Sequence, residues 1–91
     1  MMERPDLFVI GRLLEALTDG PLRRTPWQQR AGLNYTVFQR YLDFLLRLGL
    51  VVDSDPEAGR IELTAKGVEA HRFLSEGFSR IFGLPEHTPS T

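Results

Sequence analysis

The segment from Tyr35 to Leu48 constrains this chain more than any other. Asn34 caps helix N-termini and Gly49 is the residue type that ends helices in a left-handed turn, so the fourteen residues between them read as a helix. Tyr35, Val37, Phe38, Tyr41, Leu42, Phe44, Leu45, Leu46 and Leu48 occupy most of its circumference at about 100° per residue. So wide an apolar arc takes more than one packed partner, which the rest of a 91-residue chain must supply. The remaining sector, roughly 100° wide, holds Thr36, Gln39, Arg40, Asp43 and Arg47.

The partners can be read from local signals. Ile10, Leu13, Leu14 and Leu17 recur at helical spacing over 6–18, with Asp6 as N-cap behind Pro5 and Asp19-Gly20-Pro21 as the stop. Leu22-Arg23-Arg24 is long enough only for a short extended piece. Thr25-Pro26-Trp27-Gln28 predicts a capping box, with Thr25 as cap, Pro26 in the first helical position and Gln28 reaching back. That helix must be short, because Gly32 supplies a turn and Leu33 anchors it in the core. Leu50-Val51-Val52 and Arg60-Ile61-Glu62-Leu63 read as a hairpin around a loop over 53–59, and Thr64 caps a last helix over 65–82. Residues 83–91 read as a flexible tail.

The expected fold class is mainly α with a small β-hairpin: a three-helix core, a wing and a C-terminal helix. This is the architecture of a winged helix-turn-helix, in which a short second helix crosses the third and leaves one face of the third uncovered. One domain is expected over 1–82.

Composition narrows the classes. A chain this short buries only about 60–65% of its unfolded surface, which leaves no room for a second domain and makes partner-assisted stability plausible. No cysteine is present, so disulfides and thiolate metal sites are excluded and a reducing cytoplasm is the expected location. No apolar run spans a bilayer and no secretory signal opens the chain, so neither a membrane nor a secreted protein is expected. Net charge is −1, but its distribution is uneven. Residues 20–49 carry Arg23, Arg24, Arg30, Arg40 and Arg47 against Asp43 alone, whereas 53–62 carry Asp53, Asp55, Glu57 and Glu62 against Arg60. Arginine accounts for ten of eleven basic residues, which suits bidentate contact with phosphate or guanine, although a GC-rich genome produces the same bias.

On a helix that fits the major groove, arginine pairs with guanine, glutamine with adenine, and threonine meets the thymine methyl. Thr36, Gln39, Arg40 and Arg47 are therefore the candidates for base edges or adjacent phosphates, with Arg23, Arg24, Arg30 and Arg60 toward the backbone. Asp43 is expected to orient a neighbouring arginine, Arg47 before Arg40. Any amphipathic helix has a polar face; the surrounding architecture gives this one its meaning.

Thr25 to Ala31 with Leu33-Asn34-Tyr35, then Tyr41-Leu42-Asp43-Phe44-Leu45-Leu46, Gly49-Leu50-Val51 and Leu63-Thr64-Ala65-Lys66-Gly67, together resemble the small archaeal winged helix-turn-helix DNA-binding proteins and predicted transcriptional regulators. The resemblance covers roughly residues 10–75 and implies a recognition helix at 35–48, a wing at 51–62 and dimerisation through the C-terminal helix. The chain departs from the pattern at Trp27, where a smaller aliphatic residue is usual, and at its acidic wing tip.

In the last helix, Ala70, Phe73, Leu74, Gly77, Phe78 and Ile81 form a stripe with Phe82 at its edge, and Glu69, Arg72, Glu76 and Arg80 can form a ladder of weak ion pairs opposite. Part of the stripe completes the monomer core. Ala70, Phe73, Gly77, Phe78, Ile81 and Phe82 are the candidates for a homodimer interface. His71 flanks the stripe as a packing residue, and Trp27 and Tyr41 read as core. No histidine stands at metal-ligand spacing with carboxylates, no activated nucleophile is implied and no phosphate loop is present, so neither catalysis nor a cofactor or metal is expected.

The function expected is sequence-specific binding of double-stranded DNA by a homodimeric transcriptional regulator. The alternative is a winged-helix protein-protein interaction module that does not bind DNA, favoured by the near-neutral charge and acidic wing. A chromatin-coating role is weaker, because coating depends on an electrostatic term this chain largely lacks.

Overall fold

A computed structural model of the chain describes residues 4–82, with residues 78, 79, 81 and 82 through their backbone alone. The tail expected at 83–91, and the side chains of Phe78, Ile81 and Phe82, lie outside the described residues. Helix α1 spans Leu7–Ala16, strand β1 Leu22–Arg23, α2 Arg24–Ala31, α3 Tyr35–Leu48, β2 Val51–Asp55, β3 Arg60–Leu63 and α4 Ala65–Phe82. Among the described residues no helix is long and apolar enough to cross a membrane.

The cap expected at Asp6 forms: its carboxylate accepts from the N–H groups of Phe8 at 2.8 Å and Val9 at 3.4 Å. Its own N–H donates to the Tyr41 hydroxyl at 2.9 Å, which ties the start of α1 to the middle of α3. The helix ends at Ala16, short of Thr18, because Leu17 N–H tightens onto Leu14 O at 3.0 Å. That shift leaves Leu13 O to accept from Trp27 Nε1 at 2.9 Å. Trp27 also meets Phe38 edge-on, with centroids 5.2 Å apart and planes at 89°. One indole thereby joins α1, α2 and α3.

The core runs Ile10, Leu13, Leu14 and Leu17 from α1 and its cap, Trp27 and Ala31 from α2, and Phe38, Tyr41, Leu42 and Leu45 from α3, closed by Leu50, Val51 and Ile61. Each fully buried side chain of this kind contributes about 1.5–3 kcal/mol. The wide apolar arc of α3 finds α1 and α2 on one side and the sheet on the other.

Two local expectations are corrected. The capping box at Thr25 does not form: α2 begins at Arg24, its N-cap is Arg23, and no side chain caps it. Arg23 is held extended by its pairing with Arg60, so the chain turns helical two residues earlier than local signals imply. Thr25 then lies inside the first turn, and Pro26 has no N–H to offer a cap. Gln28 instead turns its amide to Leu33 O at 3.1 Å. The hairpin loop is also shorter than 53–59. Strand β2 continues to Asp55 through a bulge at Ser54, with Asp53 opposite Ile61 and Asp55 opposite Arg60. Asp55 closes the turn, accepting from Ala58 N–H at its carboxylate and from Gly59 N–H at its carbonyl.

The sheet is antiparallel in the order β1-β3-β2. Strand β1, only two residues long, pairs Leu22 with Ile61 and Arg23 with Arg60, and so links the entry of α2 to the wing.

Candidate nucleic-acid interface

Helix α3 is held at both ends and along one side, which fixes what its other side presents. Asn34 Oδ1 accepts from Val37 N–H at 2.9 Å, and Gly49 leaves the helix at φ 76°, where a Cβ would be strained. Between α2 and α3, Gly32 turns at φ 70° while Leu33 N–H donates to Gln28 O at 3.3 Å. Gln28 therefore grips Leu33 by main chain and side chain together, setting the turn between the two helices.

The sector expected to be free is free. Thr36, Arg40, Asp43 and Arg47 are exposed, and Gln39 is half-buried. The pairing expected for Asp43 is absent: among the described residues it forms no ion pair with Arg40 or Arg47. Both guanidinium groups are left to solvent. Tyr35 differs from its reading as part of the apolar arc. At the first position of the helix it is 66% exposed, which sets a phenol beside Thr36 at the tip of the polar face.

The other arginines fall into separate places. Arg30 is exposed in the last turn of α2. Arg23 and Arg60 are cross-strand neighbours, both exposed, with Asp55 on the far side of Arg60. Arg24 stands 3.9 Å from Asp53 across the sheet, both partly exposed, so one acidic group of the wing already faces a cation of its own chain. At that exposure the pair contributes about 0–1 kcal/mol. Arg12, which no local signal singles out, brings Nη1 to 3.8 Å from where a Cβ on Gly32 would sit. An arginine of α1 thus lies against the turn between α2 and α3, a placement that only the α1–α2 packing creates.

Helix α4 divides its stripe. Ala70 and Leu74 pack against the core of their own chain, whereas Phe73 is 75% exposed and Gly77 has open space where a Cβ would be. The ladder expected along Glu69, Arg72, Glu76 and Arg80 is not formed; among the described residues the arginine–carboxylate pair is Arg24–Asp53. Flexible exposed side chains gain too little from pairing to hold such a ladder. His71 is half-buried, as expected, and its Nε2 meets Glu15 Oε1 at 2.5 Å, joining α4 to α1. Among the described residues, no three histidine, aspartate or glutamate side chains gather as a metal site.

The sequence model of the winged helix-turn-helix family matches residues 3–80. No curated protein matches the chain. Among solved structures, the chain is similar to Sso10a-2, a DNA-binding protein from Sulfolobus solfataricus, at 26% identity and a TM-score of 0.74, covering 89% of this chain and 85% of that one. It is also similar to the PcaV transcriptional regulator from Streptomyces coelicolor at 28% identity and a TM-score of 0.73, covering 84% of this chain but 60% of that one.

Proposed function

The chain belongs to the winged helix-turn-helix family, and from that premise we propose that it binds double-stranded DNA in a sequence-specific way as a homodimeric transcriptional regulator, with α3 in the major groove. The observation that carries this reading is the exposed face of α3, where Thr36, Arg40 and Arg47 stand free on a helix capped at both ends and packed along its other side. A reading helix must be firmly seated to discriminate bases, and this one is capped by Asn34 and Gly49 and buries Phe38, Tyr41, Leu42 and Leu45. Arg40, Arg47, Gln39 and Thr36 read base edges or adjacent phosphates; Tyr35 adds a hydroxyl at the leading end. Arg23, Arg30 and Arg60 position the backbone, while Arg24 does so only after leaving Asp53. The similarity to a DNA-binding protein and a transcriptional regulator supports the same reading.

Few phosphate contacts are available, because the wing tip carries exposed Asp53, Asp55 and Glu57. With two to four contacts from each copy, four to eight for the dimer, the logarithm of affinity falls against the logarithm of salt with a slope of about −4 to −7. Fragments selected from a random DNA pool supply the probe. On that site Arg40→Ala costs about 1–3 kcal/mol and relaxes preference at the bases it contacts. If the wild type selects nothing at low salt, the DNA reading fails and the interaction-module reading, which the acidic wing favours, replaces it. If Arg40→Ala binds as the wild type does, α3 is not the reading element.

The dimer is proposed through α4, by Phe73 and Gly77 together with Phe78, Ile81 and Phe82, since Phe73 stands three-quarters exposed and Gly77, four residues on, leaves open space beside it for a second helix. Ala70 backs this surface from its own core. To meet consecutive major-groove faces, two copies related by a two-fold axis must hold their α3 helices about 34 Å apart, one turn of DNA. Phe73→Glu and Phe78→Glu are each expected to yield monomers in sedimentation equilibrium; an undiminished mass in both removes α4 from this role.

A further inference from the structure

Three successive carbonyls leave the end of α3, and all three are taken by the start of α4. Lys66 Nζ donates to Leu48 O at 2.9 Å, the Thr64 hydroxyl to Gly49 O at 2.6 Å, and Thr64 N–H to Leu50 O at 3.0 Å. The same Thr64 Oγ1 accepts from Gly67 N–H at 3.0 Å, so one hydroxyl caps α4 while it holds α3. Gly67 lets the two elements close: a Cβ there would lie 2.0 Å from Leu50 O. The Lys66 ammonium also sits at the negative end of the α3 dipole.

We propose that this joint is a positioning element, with Lys66 fixing the angle of α3 against α4. In the dimer, where α4 joins the two copies, it thereby sets the spacing between DNA half-sites that the protein accepts; this second clause rests on the DNA reading above. A simple capping role predicts stability alone. A positioning role predicts geometry, because an arm pinned at three carbonyls transmits its direction to the reading helix. One inserted base pair displaces a half-site by about 3.4 Å and about 35° around the duplex, so only a stiff joint discriminates against it.

The test uses the full chain. Since it contains no cysteine, paired spin labels at Asp43→Cys on α3 and Glu76→Cys on α4 report one distance, with labelled subunits diluted in unlabelled protein. The wild type gives a narrow distribution, Lys66→Met a broader one, and Lys66→Arg, which still donates to Leu48 O, restores the narrow one. On the selected site, one inserted base pair weakens wild-type binding about tenfold or more, and Lys66→Met binding less than about threefold. A Lys66→Met distribution as narrow as the wild type overturns the proposal, as does a broadened one with spacing discrimination intact. Loss of the fold is excluded by a melting temperature within about 4 °C of the wild type; Lys66→Gln provides the second variant if Lys66→Met falls outside that range. If the wild type selects no DNA, the reading of the previous section fails, and the label distances alone decide the joint.

Discussion

Gly67→Ala is expected to destabilise the domain by about 3 kcal/mol or more, a large share of the roughly 5–14 kcal/mol that a domain of this length commands. The added Cβ would meet Leu50 O at 2.0 Å, Leu50 C at 3.0 Å and Leu63 Cδ2 at 3.1 Å. Only the last belongs to a side chain that can move. Leu50 O is held by Thr64 N–H, and Leu50 N–H donates to Leu45 O at 3.0 Å, so the carbonyl cannot swing aside without opening the exit of α3. Moving α4 outward releases Leu48 O and Gly49 O, at about 1 kcal/mol for each hydrogen bond. Either route loses the joint. Urea unfolding followed by circular dichroism should place the midpoint about 2 M below the wild type. A midpoint within about 0.3 M of the wild type contradicts the contact. Glu69→Ala, exposed on the polar side of the same helix, is the control, because it removes no core contact and changes helix propensity by only about a few tenths of a kcal/mol.

The features legible in the sequence are those decided by neighbours in the chain. Asn34, Gly49, Asp6 and Thr64 act where their residue types predict, and the bounds of α3 and α4 follow. The polar face of α3 was legible for the same reason, since a helical wheel needs only the helix. What escaped depends on pairing across the sequence. Strand β1 takes its register from Arg60, and that pairing, not the capping signal at Thr25, decides where α2 begins. The bulge at Ser54 depends on the facing strand, and the Arg24–Asp53 pair on a sheet that joins positions far apart in the chain. Tyr35 escaped for a different reason. It is counted apolar on a wheel, but it occupies the first turn, ahead of the level at which Phe38 enters the core. The interface is thus legible as a face, while its leading edge and the counter-ions around it belong to tertiary structure.

Trp27→Ala is expected to have the larger effect on the helix-turn-helix itself, about 3–5 kcal/mol from the cavity alone. Trp27 is fully buried, and the void would open where α1, α2 and α3 meet. The substitution also takes from Leu13 O the buried indole donor that reaches it at 2.9 Å. An unsatisfied buried carbonyl adds about 1–3 kcal/mol unless water enters the void. Trp27→Phe separates the two effects, since it keeps most of the apolar contact with Phe38 and loses the donor; a fall of about 1–3 kcal/mol is expected for it. The consequence for the interface follows from the same geometry. The edge-on contact between Trp27 and Phe38 seats α3 on α2, so the Phe variant, still folded, should hold Arg40 and Arg47 less firmly and discriminate bases less than the wild type does. Denaturant midpoints give the stability ordering wild type, Phe, Ala, and binding to the selected site gives the specificity of the Phe variant. A Trp27→Ala protein within about 1 kcal/mol of the wild type would mean that the three helices are held together by something other than this indole.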